Sequence, residues 1–325
     1  MHCQFCPSDS LHRKKQDIKD EYMMKILDEL RDKNAHICFH VLGEPLLNKN
    51  FFHYLSLCDE YNIEVHLISN MIQLTTDVLE NIVQHKSVVL LDLSFQTTTE
   101  EDFRIRGGGG LSFEEYFIRL ESIVFNEKRI ASNMLTRINV MNDLHCYHDK
   151  LWGVFTREKW ENFIDTADSW KEKLKKFTSG QVSASYRQEN YYTIRSELPK
   201  ELRGDITYEL SSNLVVLLKH FGTAGMSDAF RKYLNARPYY QYEIKNIPRW
   251  IPVPCLGPMA ATVLSNGEIA CCCVDSEGSI SLGNIENISL LEAVSSKKRK
   301  KVILHPELFK TCRLCRGKLV FQTKK

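Results

Sequence analysis

The sequence predicts an α/β protein: a partial (β/α)6 TIM-like barrel whose first strand is missing from the chain, followed by a small cysteine-rich domain of β-hairpin and helix. Three observations predict it. Helical and strand patterns alternate through roughly the first 190 residues, which argues for parallel strands joined by outer helices. Each strand in that stretch is preceded by a helix, so the first helix has no strand ahead of it. Over the last 75 residues the composition changes, and cysteines gather around a hairpin signal.

Taken in order, "KDEYMMKILDELRDK" carries apolar residues at helical spacing, and "AHICFHVLG" follows as a short apolar run closed by glycine, the pattern of a buried strand. The unit repeats as "NFFHYLSLCDEYN" with "IEVHLIS", "TDVLENIVQH" with "SVVLLDLSF", "SFEEYFIRLESIVFNEKR" with "NMLTRINVM", and "REKWENFIDTADSWKEKLKKF" with "QVSASY". A further strand is expected ahead of Met1. Residues 1–190 are thus read as the barrel core. Residues 191–250 are a bridge or insertion in which "SSNLVVLLKHFG" and "SDAFRKYLNA" read as helices, punctuated by Pro199, Pro238 and Pro248. Residues 251–325 form the small domain, where "AATVLSNGEIACCCVD" reads as a hairpin turning at Ser265-Asn266-Gly267, because Asn-Gly tolerates positive φ.

Charge excludes several partners. Lys+Arg 43 against Asp+Glu 41 leaves a net +2, too weak a field to gather nucleic acid or anionic lipid. No apolar run is long enough to span a bilayer and no signal-peptide layout opens the chain, so a cytoplasmic protein away from membranes is expected. The run "SSKKRKKV" reads as a solvated helix face or linker. Eleven cysteines are many for a reducing compartment, and those near the two ends (Cys3, Cys6, then Cys255, Cys271, Cys272, Cys273, Cys312, Cys315) suggest metal more than disulfides. Parallel barrels carry their sites at the carboxyl ends of strands. Cys3 and Cys6, "LGEPLLN", "SNM" and "SFQ" all fall at such ends, so four successive strand ends would face one pocket.

These residues resemble the radical S-adenosylmethionine (SAM) enzymes, in the branch with a C-terminal SPASM or twitch domain. "MHCQFCP" resembles the end of the family's C-x3-C-x2-C-P signature through Cys3, Phe5, Cys6 and Pro7, with the first cysteine expected just before Met1. The resemblance implies thiolates holding a 4Fe-4S cluster with one iron open to SAM. "FHVLGEPLLN" resembles the stretch that binds the SAM amino group, through Gly43, Glu44 and Pro45, with Leu42 in place of a glycine. "ISNM" resembles the segment facing the SAM carboxylate and ribose, which assigns Ser69 and Asn70. "DLSFQTTTEEDFRIRGGG" adds Ser94, Gln96 and Arg106, and "INVMND" adds Asn142. In the small domain, Cys255, Gly267 and Cys272 follow the C-x(9 to 15)-G-x4-C pattern, and Cys312 with Cys315 completes four ligands for an auxiliary 4Fe-4S cluster. The family implies reductive cleavage of SAM to a 5′-deoxyadenosyl radical that abstracts a substrate hydrogen. Cys3 and Cys6 would carry the catalytic cluster, with a reductant such as flavodoxin or ferredoxin. Substrates of the branch are peptides first, sugars or aminoglycosides next, and nucleic acid is not among the expected partners.

Each residue has a plainer reading. Cys255, Cys272, Cys312 and Cys315 fit a structural zinc site by ligand count. Cys3 and Cys6 could be an exposed thiol pair, which would make the chain a catalytically silent iron-sulfur or zinc module for peptide recognition. Glu44 could bridge or cap a loop, Asn70 could mark a turn and Ser94 could cap a helix. Cys38, Cys58 and Cys146 read as ordinary core or surface residues, and His36, His40, His66, His145, His148 and His305 show no metal spacing.

Overall fold

The computed structural model describes residues 3, 8, 11–40, 42–142, 157–177, 206–220, 241–243, 260–315 and 318–320. These residues pack as two compact units: one of 1–3, 34–40 and 44–221, the other of 4–33, 41–43 and 222–325.

The first unit is a six-stranded sheet in the order β1-β2-β3-β4-β6-β5. Its strands are β1 (His36–Phe39), β2 (Glu64–Ser69), β3 (Val88–Gln96), β4 (Leu135–Asn142), β5 (Ile206–Ser211) and β6 (Leu214–His220). All neighbours are parallel except β5 and β6, which form an antiparallel hairpin. The predicted alternation is present: α2 (Phe51–Glu60) leads into β2, α3 (Thr76–Gln84) into β3, and α4 (Glu100–Arg106), α5 (Phe113–Val124) and α6 (Glu127–Ala131) into β4. Caps set the starts. Thr75 Oγ1 accepts the Val78 N–H, and Ser112 with Glu115 forms a capping box at α5. Phe95 of β3 packs against Tyr116 and Phe117 of α5 and against Phe163 of α7 (Arg157–Leu174), while Trp170 of α7 donates to Glu121 at 2.9 Å.

Two expectations are corrected. The barrel does not close: among the described residues β1 and β5 are the edges of an open sheet. "SSNLVVLLKHFG" is not a helix: it carries the end of β5 and all of β6. A continuous apolar run does not distinguish a helix from a strand buried on both faces, and here Leu214 to Leu217 are all buried. Asn213 fixes the turn, its Nδ2 donating to the Arg129, Ile130 and Ser132 carbonyls at 2.9 to 3.1 Å. The expected strand "QVSASY" and helix "SDAFRKYLNA" lie outside the described residues.

The second unit contains α1 (Asp20–Leu30), a three-stranded antiparallel sheet of β8 (Thr262–Val263), β9 (Glu268–Ala270) and β10 (Ser281–Asn284), and three short helices. These helices are α8 (Leu290–Ser295), α9 (Lys297–Leu304) and α10 (Lys310–Cys315). A further two-stranded ribbon pairs β7 (Gln241–Glu243) with β11 (Lys318–Val320). α1 buries Tyr22, Met23, Ile26 and Leu27, and its Lys25 Nζ donates to the Ile285 carbonyl at 2.6 Å. The hairpin predicted at Ser265-Asn266-Gly267 is present, with the Gly267 N–H on the Leu264 carbonyl at 2.8 Å. Only Gly267 takes positive φ there, at +83°. A Cβ on it would also meet Asn284 Oδ1 at 2.7 Å and the Tyr22 ring at 2.8 Å, so the position requires glycine twice over. No helix among the described residues is long and apolar enough to cross a membrane.

Candidate functional site

The carboxyl ends of β2 and β3 are held together by side chains that reach in from loops and helices. Glu44 lies after β1, where Pro45 opens a short 3-10 turn. Its carboxylate accepts the Ser69 hydroxyl at 2.9 Å and the Asn70 N–H at 2.7 Å. Burial pushes the Glu44 carboxyl above its usual value, and the bonds from Asn70, Ser69 and the Leu46 backbone pull the other way. Past β2 the chain bends sharply: Met71 takes φ +71°, its N–H bonds Ser69 Oγ at 3.0 Å, and Asn70 Oδ1 accepts the Ile72 N–H at 2.9 Å.

The end of β3 is irregular. Its register with β4 shifts between Leu93 and Gln96, and Gln96 takes φ +65°. Such a bulge frees carbonyls from the ladder, and here Arg106 collects them. Its Nε donates to the Phe95 carbonyl at 3.0 Å and its Nη2 to those of Ser94 and Asn70. The Tyr116 hydroxyl, which accepts from Arg106 at 2.8 Å, stands 3.0 Å from the Asn70 carbonyl and 3.3 Å from that of Ser94. Arg106 is 1% exposed, and burial pushes the Tyr116 phenol up to about 12. Arg106 Nη1 also lies 3.9 Å from Cys3 Sγ. Ser69, Asn70, Ser94, Gln96, Glu44 and Arg106 therefore converge on one sheet end. The structure uses Arg106 to bind backbone.

Other predicted residues are placed less fully. Gly43 leaves open space where a Cβ would stand, after Leu42 at φ +57°. Asn142 is the last residue of β4, in register with His220. Phe5, Cys6 and Cys255 lie outside the described residues. Cys271, Cys272 and Cys273 follow β9 in a turn instead of extending the strand, so strand alternation does not sort them: Cys271 is buried, Cys272 half-buried and Cys273 exposed. Cys312 is half-buried in α10, and Cys315 is that helix's last residue. Among the described residues no three His, Cys, Asp or Glu side chains form a ready metal cage.

Sequence reasoning missed Tyr116, Asn139 and a polar cluster on β2, β3 and β4. Asp92, 1% exposed, is forked by Arg137 and bonded by His66 Nε2 at 2.7 Å. An acid inside "LLDLSF" was the available signal, since a buried charge is the informative exception. Asp92 and Ser94 are two residues apart on one strand, so this cluster lies one layer below the strand end on the same face. A cleft at the opposite, amino ends of the strands includes Asp59, His85 and Cys58. There Asp59 is already taken by His85 and the Ser87 N–H, both at 2.7 Å, and burial pushes the Cys58 thiol up to about 12.

Residues 1–124 match the sequence profile of the radical SAM superfamily, and residues 255–316 match that of the SPASM iron-sulfur cluster-binding domain. The chain belongs to the radical SAM branch with a C-terminal SPASM domain, and its cofactors are SAM and 4Fe-4S clusters. Similar solved structures include BtrN in complex with AdoMet and 2-DOIA, at 14% identity and TM-score 0.46 over 97% of this chain and 87% of that one. Another is anSMEcpe with bound AdoMet, at 14% identity and TM-score 0.48 over 97% and 86%. A third is SuiB of Streptococcus suis bound to its precursor peptide SuiA, at 15% identity and TM-score 0.48 over 91% and 63%. No protein of curated function matches the chain in sequence.

The residues present fit SAM. The sheet end offers the half-buried Glu44 carboxylate for an ammonium group, and Thr97 Oγ1 and Asn139 Oδ1 are buried without a hydrogen-bond partner among the described residues.

Proposed function

We propose that this protein is an oxidoreductase of the radical SAM type that modifies a peptide, with SAM held at the β1 to β3 strand ends. When bound, the cluster and SAM would together supply the one-electron chemistry for hydrogen abstraction. Cys3 and Cys6 would ligate that cluster, and Cys255, Cys272, Cys312 and Cys315 the auxiliary one. Glu44 would take the SAM ammonium, while Gly43 and Pro45 shape the loop that delivers it. Ser69, Asn70, Ser94, Gln96 and Asn142 would contact the rest of SAM, and Arg106 would work from behind them, fixing the strand ends through their carbonyls. The observation that carries this reading is the convergence of Glu44, Ser69, Asn70 and Ser94 from three separate motifs onto one sheet end. The Asp92, His66 and Arg137 cluster supports a polar substrate such as a peptide, because it lines the sheet below that end with hydrogen-bonding groups.

The test is anaerobic. Reconstituted protein given dithionite and SAM should release 5′-deoxyadenosine and methionine, and a Cys3→Ser, Cys6→Ser variant should release neither. Equal release from both proteins would overturn the assignment.

A further inference from the structure

We propose that helix α9 is the docking surface for an acidic one-electron carrier protein, which exchanges electrons with the cysteine-bearing segment beside it. The proposal rests on reading that segment as an iron-sulfur site. α9 carries Lys297, Lys298, Arg299, Lys300 and Lys301 in succession and no acidic residue. Its five cations exceed the net +2 of the whole chain, so the remainder is net −3. The helix is thus a local excess of positive charge on a chain that is otherwise net negative.

Local stability does not explain this concentration. The cations crowd the amino-terminal end of the helix, where the macrodipole favours anions. The helix forms anyway because Ser296 Oγ accepts the Arg299 N–H at 3.2 Å and Val302 is buried. Arg299 turns inward, donating from Nη1 to the Val294 carbonyl at 2.8 Å, and Lys297, Lys298, Lys300 and Lys301 remain exposed. A local rule broken with no acidic partner for the four lysines among the described residues points to a partner outside the fold.

The surroundings favour a protein over a nucleic acid. Leu304 ends α9 at 55% exposed, Leu308 follows in a 3-10 turn at 53%, and Leu291 on α8 is 48% exposed. Apolar anchors edged by cations suit a protein interface. A nucleic-acid track would need a series of stacking rings, and Phe309 is the one Phe, Tyr or Trp from 290 to 315.

Position favours an electron carrier. The 3-10 turn Pro306–Leu308 leads from α9 into α10, which bears Cys312 and Cys315. A chain of hydroxyl and carboxylate bonds joins α10 to the turn of Cys272: Thr311 to Ser279 at 2.6 Å, Ser279 Oγ to Asp275 at 2.6 Å, and the Asp275 N–H to the Cys272 carbonyl at 3.1 Å. The basic patch and the sulfur-bearing segments thus belong to one small body. In the exchange the carrier loses one electron as the iron-sulfur centre gains it, or the reverse, and no bond is made or broken. Charge-steered encounters of this kind are small, fast and sensitive to salt.

The experiment measures binding of an acidic flavodoxin to the anaerobic holoenzyme as salt is raised. Wild type should bind at low salt and weaken as salt rises. A Lys297→Glu, Lys298→Glu, Lys300→Glu, Lys301→Glu variant should bind about tenfold more weakly or worse, with the corresponding four-glutamine variant between them to control for helix damage. Unchanged affinity in both variants would overturn the proposal, as would wild type preferring a short DNA duplex to flavodoxin through the same lysines. Dithionite-driven SAM cleavage should be equal in wild type and variants. Flavodoxin binding through these lysines in a protein that cleaves no SAM would overturn the activity and leave the docking surface standing.

Discussion

The sheet end around Glu44 and the turn around Cys272 differ in what buries their bonds. At the sheet end, buried side chains bridge segments far apart in sequence: Arg106 reaches Asn70 across 36 residues, Tyr116 reaches it across 46, and Glu44 reaches Ser69 across 25. Around Cys272 the buried bonding is local, Asp275 gathering its own neighbours Ser279 and Ile280, the long reaches come from the less buried Arg13 to the Ser276 carbonyl and from the His12 and Arg13 N–H groups to Glu277, and the strands are two to four residues long. The first region is set in place by the protein's own polar groups. The second is built from short strands and a cysteine-bearing turn, and on the proposed ligand set it depends on its metal for completion, as small metal domains do.

The largest effect should therefore come from removing a cysteine of the second region. Cys312→Ser should lose the auxiliary cluster, lowering anaerobic iron and sulfide counts by about four each while leaving the first cluster's spectrum. Unchanged iron would remove Cys312 from the ligand set. Next in size is Arg106→Ala, which takes a donor from three carbonyls, with the one Tyr116 hydroxyl left to serve those of Asn70 and Ser94, and should cost about 3 kcal/mol in urea titration. Tyr116→Phe, which removes one hydroxyl from the same network, should cost about 1 kcal/mol. A loss at Arg106 no larger than that of an exposed substitution would break the contrast between the regions.

Much of this was legible in the sequence because period and punctuation survive folding. The strands β1 to β4 and the hairpin at Gly267 stand where alternation and turn residues placed them. The convergence of Glu44 with Ser69 was legible only through motif resemblance, since nothing in either segment names the other. Arg106 shows the limit: its motif suggested a contact with cofactor, but the carbonyls it binds are freed by a bulge that no residue type announces. β6 was misread because a run buried on both faces carries no period, and Tyr116 because a buried tyrosine inside an amphipathic helix looks like core.

Glu44 gives the smallest and most discriminating effect. Burial raises its carboxyl above the usual 4.5, so the folded state keeps the proton to higher pH than the unfolded chain does. Its contribution to stability is then full below pH 4.5 and is lost as pH rises through the raised value. Glu44→Gln keeps an acceptor for Ser69 or Asn70 and carries no charge. The stability difference between wild type and this variant should accordingly move toward the variant as pH climbs from below 4.5 to neutrality. Adding SAM should reverse the trend in wild type, because an ammonium beside the carboxylate favours its charged form and binding to the native state adds stability. The variant should gain less. A difference flat with pH would mean that Glu44 is solvated and that the sheet end is not preassembled, whereas a pH trend that SAM leaves untouched would keep the burial and remove the ammonium from Glu44.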